Sequence, residues 1–347
     1  MNKRITQWSS LKGALMIVVV MGHFCQLYAY RNAEGYLIAS LFCLIYTFHM
    51  PLFCFVSGFF SKNLEKRRAT AFTSLFLPYV EAQLVIGIVT FVVDRNINII
   101  KNPLYATYGT WYLIALYIWR ICMPDLVKIK KLSVFAVLLF FITPFFWGMD
   151  NTLGLPRVLG FFCFFLAGYM ATEKDILKVV RIPKILCIVL FLVELGGLYV
   201  CFSVFDIPYV EVSRIFTHGL TVSQGLRQIP LIFGVYVIAF LLTVINSILF
   251  LNLFFRESDI LAKIGDDTMP LYLSHLALVK LFELIMRPFS NVIYIIFSVP
   301  VAFLLVYGMS SKRYRICFNQ AMKKIESIFI CQEQQECNAQ CEKEIKR

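Results

Sequence analysis

Two polar residues, Lys12 and His23, stand in an otherwise apolar run between residues 11 and 24. They are eleven residues apart, which in an α-helix is about three turns with ~20° of rotation, so both share one face roughly 16 Å apart. An ammonium and an imidazole are costly in hydrocarbon, and such groups are typically functional. The spacing predicts a membrane helix with a cation at its mouth, an imidazole in its middle and a groove for a long ligand.

A second histidine, His49, lies two residues before Pro51 in the apolar run 46–60. Proline inside a helix removes a backbone hydrogen bond and bends the helix, which exposes polar backbone beside the histidine. We therefore predict that His49 lines a site, with Ser57 as a neighbour. The first two apolar runs are close enough in sequence to pack as a helical hairpin.

The order of these motifs resembles that of the acyltransferase-3 family of integral-membrane acyltransferases, and most closely its fucose-4-O-acetylase-like branch. The resemblance covers about residues 8–310 and rests on the Lys12 to His23 spacing and on further short motifs: Phe48-His49-Met50-Pro51-Leu52-Phe53, Ser57-Gly58, Leu77-Pro78-Tyr79, Thr110-Trp111-Tyr112-Leu113, Arg157 before residues 161–168, Ile264-Gly265 and Leu271-Tyr272-Leu273-Ser274-His275. One departure is Ser9, which stands where relatives usually carry an acid. An acidic partner for the lysine is therefore missing from that position.

The resemblance implies transfer of an acyl group, most simply acetyl from acetyl-CoA, to a hydroxyl of a carbohydrate. The acceptor would be a surface polysaccharide, an O-antigen unit or a lipid-linked glycan. His23 is then the catalytic residue, because a neutral imidazole can remove the hydroxyl proton during attack, and burial favours the neutral form. An acyl-histidine intermediate is the competing mechanism, and a histidine that only bridges two helices is the structural alternative.

The donor-binding candidates are Lys12, Arg68, Tyr272 and His275. Lys12 would contact the phosphates of coenzyme A while the pantetheine arm reaches His23; snorkelling at the membrane surface is its alternative role. Arg68 follows the second span and has topology as its alternative. Tyr272 and His275 are three residues apart, hence on one helix face, and would contact the donor or pair with another span.

The site-lining or acceptor-side candidates are His49, Ser57, Glu81 and Arg157. Glu81 is an ionisable group at membrane depth and therefore a candidate partner for a histidine. Arg157 opens the sixth span at its outer end and suits acceptor binding or a helix-end ion pair. The loop 205–228 is long enough to cover the site, and its polar and aromatic residues suit a sugar or an ordinary solvated loop.

Composition places the chain among all-α polytopic membrane proteins. Of its 347 residues 59% are hydrophobic and 16% charged, and the mean hydropathy is +0.74, which is too apolar for a soluble domain. With about 20 apolar residues per transmembrane helix, the sequence predicts about ten spans, at residues 11–30, 37–60, 74–93, 107–122, 133–149, 156–172, 185–204, 229–250, 268–286 and 289–309.

Basic residues predict the topology of these spans. With both termini in the cytoplasm, 24 lysines and arginines fall in inner segments and six in outer ones, as the positive-inside rule requires. The net charge of +12 thus reflects topology, and we expect no nucleic-acid partner. We expect a membrane domain at 1–310, a basic, mobile cytoplasmic tail at 311–347, and a bacterial inner membrane as the location.

The sequence carries no sign of other chemistry. It has no phosphate-binding glycine loop, nucleophile elbow or metal-ligand pair on one helix. The tail spacing Cys331-x5-Cys337-x3-Cys341 matches no strong zinc pattern, so we expect no metal. The expected partners are acetyl-CoA as co-substrate, a carbohydrate and the bilayer, with no permanently bound cofactor; the oligomeric state is not evident. Buried histidines and ten spans would also suit a transporter or flippase, although no repeat is visible, or a catalytically dead scaffold.

Overall fold

Helices make up the regular structure of the described chain. The computed structural model describes residues 3–32, 34–95, 102, 104–106, 108–146, 151–219 and 229–329, and these ranges contain no β-strand. The α-helices are α1 (Lys3–Arg31), α2 (Tyr36–Phe59), α3 (Leu64–Ala69), α4 (Leu77–Asp94), α5 (Trp111–Leu126), α6 (Leu132–Ile142), α7 (Leu155–Gly160), α8 (Phe162–Met170), α9 (Glu173–Val179), α10 (Lys184–Ser203), α11 (Tyr209–Phe216), α12 (Ile229–Phe254), α13 (Asp259–Gly265), α14 (Met269–Met286), α15 (Asn291–Met309) and α16 (Lys312–Phe329). The prediction of an all-α polytopic membrane protein is confirmed.

Seven helices in the described ranges are long and apolar enough to cross a membrane, or eight if the bent pair Leu155–Met170 and Glu173–Val179, with 107° between its parts, is one span. Seven of the ten predicted spans coincide with these seven helices, the sixth coincides with α7 and α8 of the bent pair, and the fourth and fifth coincide with the shorter helices α5 and α6. α5 has 16 residues and follows a 3-10 turn, and α6 has 11 before a second 3-10 turn. The apolar runs counted in the sequence continue through these breaks, which is why ten spans were expected.

Glycines allow the central helices to pack backbone against backbone. α1 meets α13 where a Cβ on Gly13 would overlap the carbonyl of Leu261 and one on Gly265 would overlap the carbonyl of Ser9. α2 meets α8 in the same way, through Gly58 and Gly168. Such contacts between small residues are typical of helix packing in membranes. They hold α1 and α2, the helices that carry His23 and His49, in fixed positions.

Ion pairs and hydrogen bonds join the far end of α1 to α14 and α4. Arg31 donates to the carbonyls of Met286 and Phe289, both at 3.0 Å. Lys280 on α14 lies 3.0 Å from the carboxylate of Asp94 at the end of α4. We call this the Arg31 end of the bundle and the opposite one, where α1 meets α13, the Lys12 end.

The first part of the tail, Lys312–Phe329, forms the amphipathic helix α16. Arg315 and Tyr314 make hydrogen bonds to Ile264 at 3.2 Å and to the Ser274 hydroxyl of the preceding helices. The separate, mobile cytoplasmic tail at 311–347 stays a prediction. The end of the tail, residues 330–347 with the three cysteines considered for zinc, lies outside the described residues.

Candidate active site

A cavity of about 730 Å³ lies in the Arg31 half of the bundle. Its volume is within the roughly 300–1,000 Å³ typical of small-molecule sites. Val19, His23, Gln26 and Tyr30 line it from α1, in the order expected for one helix face. Opposite them lie aromatic and amide side chains from the loops and from α2, α5, α7 and α14: Tyr46, His49, Asn102, Tyr105, Tyr108, Trp111, Asn151, Phe161 and Tyr272.

Hydrogen bonds fix the orientation of His23 in this cavity. Its Nδ1 lies 3.3 Å from Oε1 of Gln26 and 3.4 Å from the hydroxyl of Tyr46. The Tyr46 hydroxyl donates to the same Oε1 at 2.9 Å, and Nε2 of Gln26 donates to Tyr30 at 3.3 Å. Because Oε1 can only accept, Nδ1 carries the proton and Nε2 is the basic nitrogen.

Two further histidines surround His23. His275 is fully buried and its ring centre lies 5.3 Å from that of His23. Each of the two neighbours directs Nδ1 to a carbonyl of its own helix, His275 to Leu271 at 3.1 Å and His49 to Ile45 at 2.8 Å. The structure thus brings His23, His49 and His275 together, and Tyr272 beside them at the cavity floor.

Arg157 also lines the cavity, at the start of α7. Its Nε donates to the carbonyl of Thr217 at 3.0 Å and one terminal nitrogen donates to Asn151 at 3.3 Å. The guanidinium lies over the Trp111 ring, 5.7 Å from its centroid. These contacts hold a positive charge at the edge of an aromatic cavity whose described lining contains no carboxylate.

His218 packs behind the cavity wall, between Phe140 and Phe161. Neither ring nitrogen has a hydrogen-bond partner within the described part of the chain. Burial, and to a lesser degree the positive charge of Arg157, lowers the pKa of His218 to about 3. His218 is therefore neutral at neutral pH and adds no second positive charge beside Arg157.

The single groove expected along α1 from Lys12 to His23 is not open in this structure. The cavity includes Val19 and His23 but not Lys12. Met16 lies between them at helical spacing, one turn from Lys12 and one from Val19, and is fully buried. The face that the sequence analysis identified is therefore closed by a methionine side chain.

Cations gather at the Lys12 end around the end of α2. The Lys12 ammonium lies 5.9 Å from the centre of the Phe60 ring, and Arg67 donates to the Phe60 carbonyl at 3.1 Å. Arg120 on α5 is within electrostatic range of Arg67, and its Nε has no hydrogen-bond partner among the described residues. Asp266 is close enough to attract Lys12 electrostatically, although Ser9 replaces the acid usual in relatives.

The remaining sequence candidates lie outside the cavity lining. Arg68 forms an exposed ion pair with Asp125 at 3.6 Å. Ser57 shares a hydrogen bond of 2.6 Å with the hydroxyl of Tyr112, whose ring centre is 5.5 Å from that of Tyr272. Glu81 is half-buried on α4 and does not line the cavity.

Sequence reasoning missed Gln26, Tyr46 and Arg120. The signal for Gln26 was available, because an amide three residues after His23 lies on the same helix face. Tyr46 stands three residues before His49, where in the sequence it marks only the start of the apolar run 46–60. Arg120 was counted as a topology signal, and only the fold shows that its side chain points into the cation cluster.

Comparison with known proteins gives two partial relatives and one family. A 62-residue stretch is 43% identical to "Nodulation protein NolL" of Sinorhizobium fredii (strain NBRC 101917 / NGR234), covering 18% of this chain and 17% of that protein. A 68-residue stretch is 34% identical to "Nodulation protein NolL" of Mesorhizobium japonicum (strain LMG 29417 / CECT 9101 / MAFF 303099), covering 20% of this chain and 18% of that protein. The matches thus span less than a fifth of either relative's length.

No solved structure matches the chain. The family described as "Acyltransferase domain", acyltransferase-3, matches residues 6–310, which include the helices and loops that form the cavity. A match of that extent covers most of the sequence. The chain belongs to the acyltransferase-3 family and has the apolar helices of an integral membrane protein.

Proposed function

We propose that the protein transfers an acetyl group from acetyl-CoA to a hydroxyl of a carbohydrate. The observation that carries this proposal is the orientation of His23, whose Nδ1 is held by Gln26 so that Nε2 is free in a cavity lined by aromatic side chains. Aromatic rings with amides among them suit a sugar, which has apolar ring faces and polar edges.

In the proposed reaction Nε2 of His23 takes the proton from the acceptor hydroxyl as its oxygen attacks the thioester carbonyl. The tetrahedral intermediate then collapses, the carbon–sulfur bond breaks, and the coenzyme A sulfur receives the proton from the imidazolium. The hydrogen bond from Nδ1 to Gln26 keeps the ring in the tautomer that this cycle needs. His275 Nε2 is unpartnered in the described part of the chain and close enough to stabilise charge on His23.

The donor would enter from the Lys12 end. Lys12, Arg67 and Arg120 cluster around Phe60, and cations of this kind bind the phosphates of a nucleotide. The thioester would reach His23 when Met16 moves aside, which a flexible, unbranched side chain can do. With the orientation predicted from the basic residues, this end faces the cytoplasm of a bacterial cell, where the soluble donor is found.

The test is acetyl transfer by the purified protein in lipid nanodiscs, with acetyl-CoA and cell-surface glycans, read by mass spectrometry as a base-labile acetyl increment. We expect His23→Ala to lose transfer by about 10²- to 10⁴-fold, the usual contribution of a general base, with acetyl-CoA affinity unchanged. Lys12→Ala should weaken acetyl-CoA binding instead. Leu27→Ala, on the same helix but outside the cavity lining, is the control.

An unchanged rate of acetyl transfer in the His23→Ala protein would overturn the assignment of His23 as the general base. Solute movement across vesicles without any acyl transfer would favour the transporter alternative over the enzyme described here.

A further inference from the structure

Arg157 offers hydrogen-bond donors that the described residues do not use. A guanidinium has five N–H groups, and described residues accept from two of them, at Thr217 and Asn151. Three N–H groups are therefore left on a side chain that lines the cavity. The hydrogen bond to Thr217 alone would not require the guanidinium of Arg157 to face the cavity.

No carboxylate balances this positive charge in the described part of the chain. Other arginines have such partners: Arg68 pairs with Asp125 at 3.6 Å and Arg214 with Glu211 at 2.7 Å. The titratable groups within electrostatic range of Arg157 are the tyrosines Tyr46, Tyr105 and Tyr272 and the histidine His218, and none of them is a carboxylate.

The described lining of the cavity as a whole contains positively charged side chains and no carboxylate. Two of its described members are arginines, Arg157 and Arg214, and none is aspartate or glutamate. His218 behind the wall is neutral, as its lowered pKa requires. A cation withdrawn from water without a counter-ion is destabilised, and an anionic ligand would remove that cost on binding.

We infer that the carbohydrate acceptor carries an anionic oxygen group, a carboxylate or a phosphate, that binds Arg157 while its hydroxyl lies at His23. This inference rests on the proposed function, because it names the class of acceptor. Arginine presents its N–H groups in a planar fork that matches carboxylate and phosphate oxygens. The guanidinium also lies over the Trp111 ring, 5.7 Å from its centroid.

Arg157 and His23 both line the cavity, and Tyr46 lies near each of them. Tyr46 contacts Nδ1 of His23 at 3.4 Å and lies within electrostatic range of Arg157. An acceptor anchored by its anion at Arg157 would therefore be held with the remaining ring hydroxyls toward His23. Arg157 then acts as a specificity-determining residue, and the proton transfer stays with His23.

The test measures binding and transfer separately, with three small probes: methyl glucoside, methyl glucuronide and glucose 1-phosphate. Binding to the purified protein in nanodiscs is measured by calorimetry without acetyl-CoA, and acetyl transfer to the same probes is measured with acetyl-CoA. We expect at least one anionic probe to bind at least tenfold more tightly than the neutral glucoside. Arg157→Gln should reduce that preference to within about twofold, since it keeps polar character but loses the charge.

Arg157→Lys separates charge from geometry, and Arg95→Gln, an exposed arginine at the end of α4, is the control for loss of a charge elsewhere. A preference for the glucuronide indicates a sugar carboxylate, and a preference for glucose 1-phosphate indicates a phosphate. Equal binding of all three probes by the unmodified protein, or an anion preference that survives in a folded Arg157→Gln protein, would overturn the inference. Arg157-dependent binding with no acetyl transfer to any probe or glycan would instead overturn the proposed function.

Discussion

The two ends of α1 differ in how they use charge. The Arg31 end has an aromatic cavity with His23 and Arg157 at its wall, and Arg157 has no carboxylate partner among the described residues. At the Lys12 end, Lys12 and Arg67 lie beside Phe60, and Arg120 is within electrostatic range of Arg67. One end is shaped for a compact ligand with rings, and the other for a ligand with several negative charges.

From this difference we propose that two dissimilar substrates approach one histidine from opposite sides. His23 is eight residues from Arg31 and eleven from Lys12, so it lies between these two residues on α1. Met16 separates the two regions in this structure. A closed connection keeps water and donor away from the base until both substrates are bound, which limits hydrolysis of the thioester.

The largest effect expected from a change at only one end is that of Gln26→Leu. It removes the acceptor for the Nδ1 proton of His23, so the ring is free to adopt the wrong tautomer, and we expect transfer to fall roughly 100-fold, less than the ~10⁴ measured for a triad aspartate. Gln26→Glu keeps an acceptor and should retain more activity. The measurement is the steady-state rate with both substrates saturating. Equal activity of Gln26→Leu and Gln26→Glu would mean that Gln26 does not orient the His23 ring.

Met16→Phe tests the connection between the ends. A rigid ring at this buried position would hinder the passage of the thioester toward His23, and we expect kcat/KM for acetyl-CoA to fall at least about tenfold, which is 1.4 kcal/mol. The acceptor KM should stay the same. Met21→Phe, a half-buried position on the same helix, controls for overpacking. A loss that appears in acceptor KM instead would mean that the donor does not pass Met16.

A comparison of Arg120→Gln with Arg68→Gln tests the cation cluster. Arg120 has an unpartnered Nε among the described residues, whereas Arg68 already pairs with exposed Asp125. We expect the first change to raise KM for acetyl-CoA about three- to tenfold, by loss of a charge-assisted hydrogen bond, and the second to alter it less than twofold. Initial rates at fixed ionic strength measure both, and the reverse order would shift the donor site toward Arg68.

The smallest effect concerns stability at the Arg31 end. His218 has a pKa of about 3 when folded and about 6.5 when unfolded, so the unfolded chain binds the extra proton as pH falls below 6.5. The free energy of unfolding should then drop by about 1.4 kcal/mol per pH unit down to the folded pKa. Thermal unfolding of His218→Gln at pH 7 and 5 should show a weaker acid dependence. An identical dependence in both proteins would place His218 in water.

The helices and the family could be predicted from the sequence, because apolar runs and the order of motifs can be read from the chain itself. The sequence was also sufficient to single out His23, His49, Arg157 and Tyr272, which all line one cavity. Each of these is a polar side chain in an apolar stretch, where hydrocarbon makes its presence informative.

The sequence could not show which polar groups meet. Gln26 and Tyr46 orient His23 through hydrogen bonds between two helices, and that pairing depends on the close packing of α1 and α2. Nor could helical spacing show that Met16 closes the face between Lys12 and His23, since the spacing gives direction but not depth of burial. The count of ten spans stays a prediction, because hydropathy adds up apolar residues through the 3-10 turns beside α5 and α6, whereas the described part of the chain has seven or eight helices long enough to cross a membrane.

Sided vesicles test most directly whether the substrates meet at His23 from opposite ends. The protein is reconstituted in one orientation, established by protease cleavage of terminal tags, and radiolabelled acetyl-CoA and acceptor are supplied to separate sides. We predict that acetylated acceptor forms when acetyl-CoA is on the Lys12 side and the acceptor is on the Arg31 side, and that none forms in the reverse arrangement. Transfer that requires acetyl-CoA on the Arg31 side would contradict it.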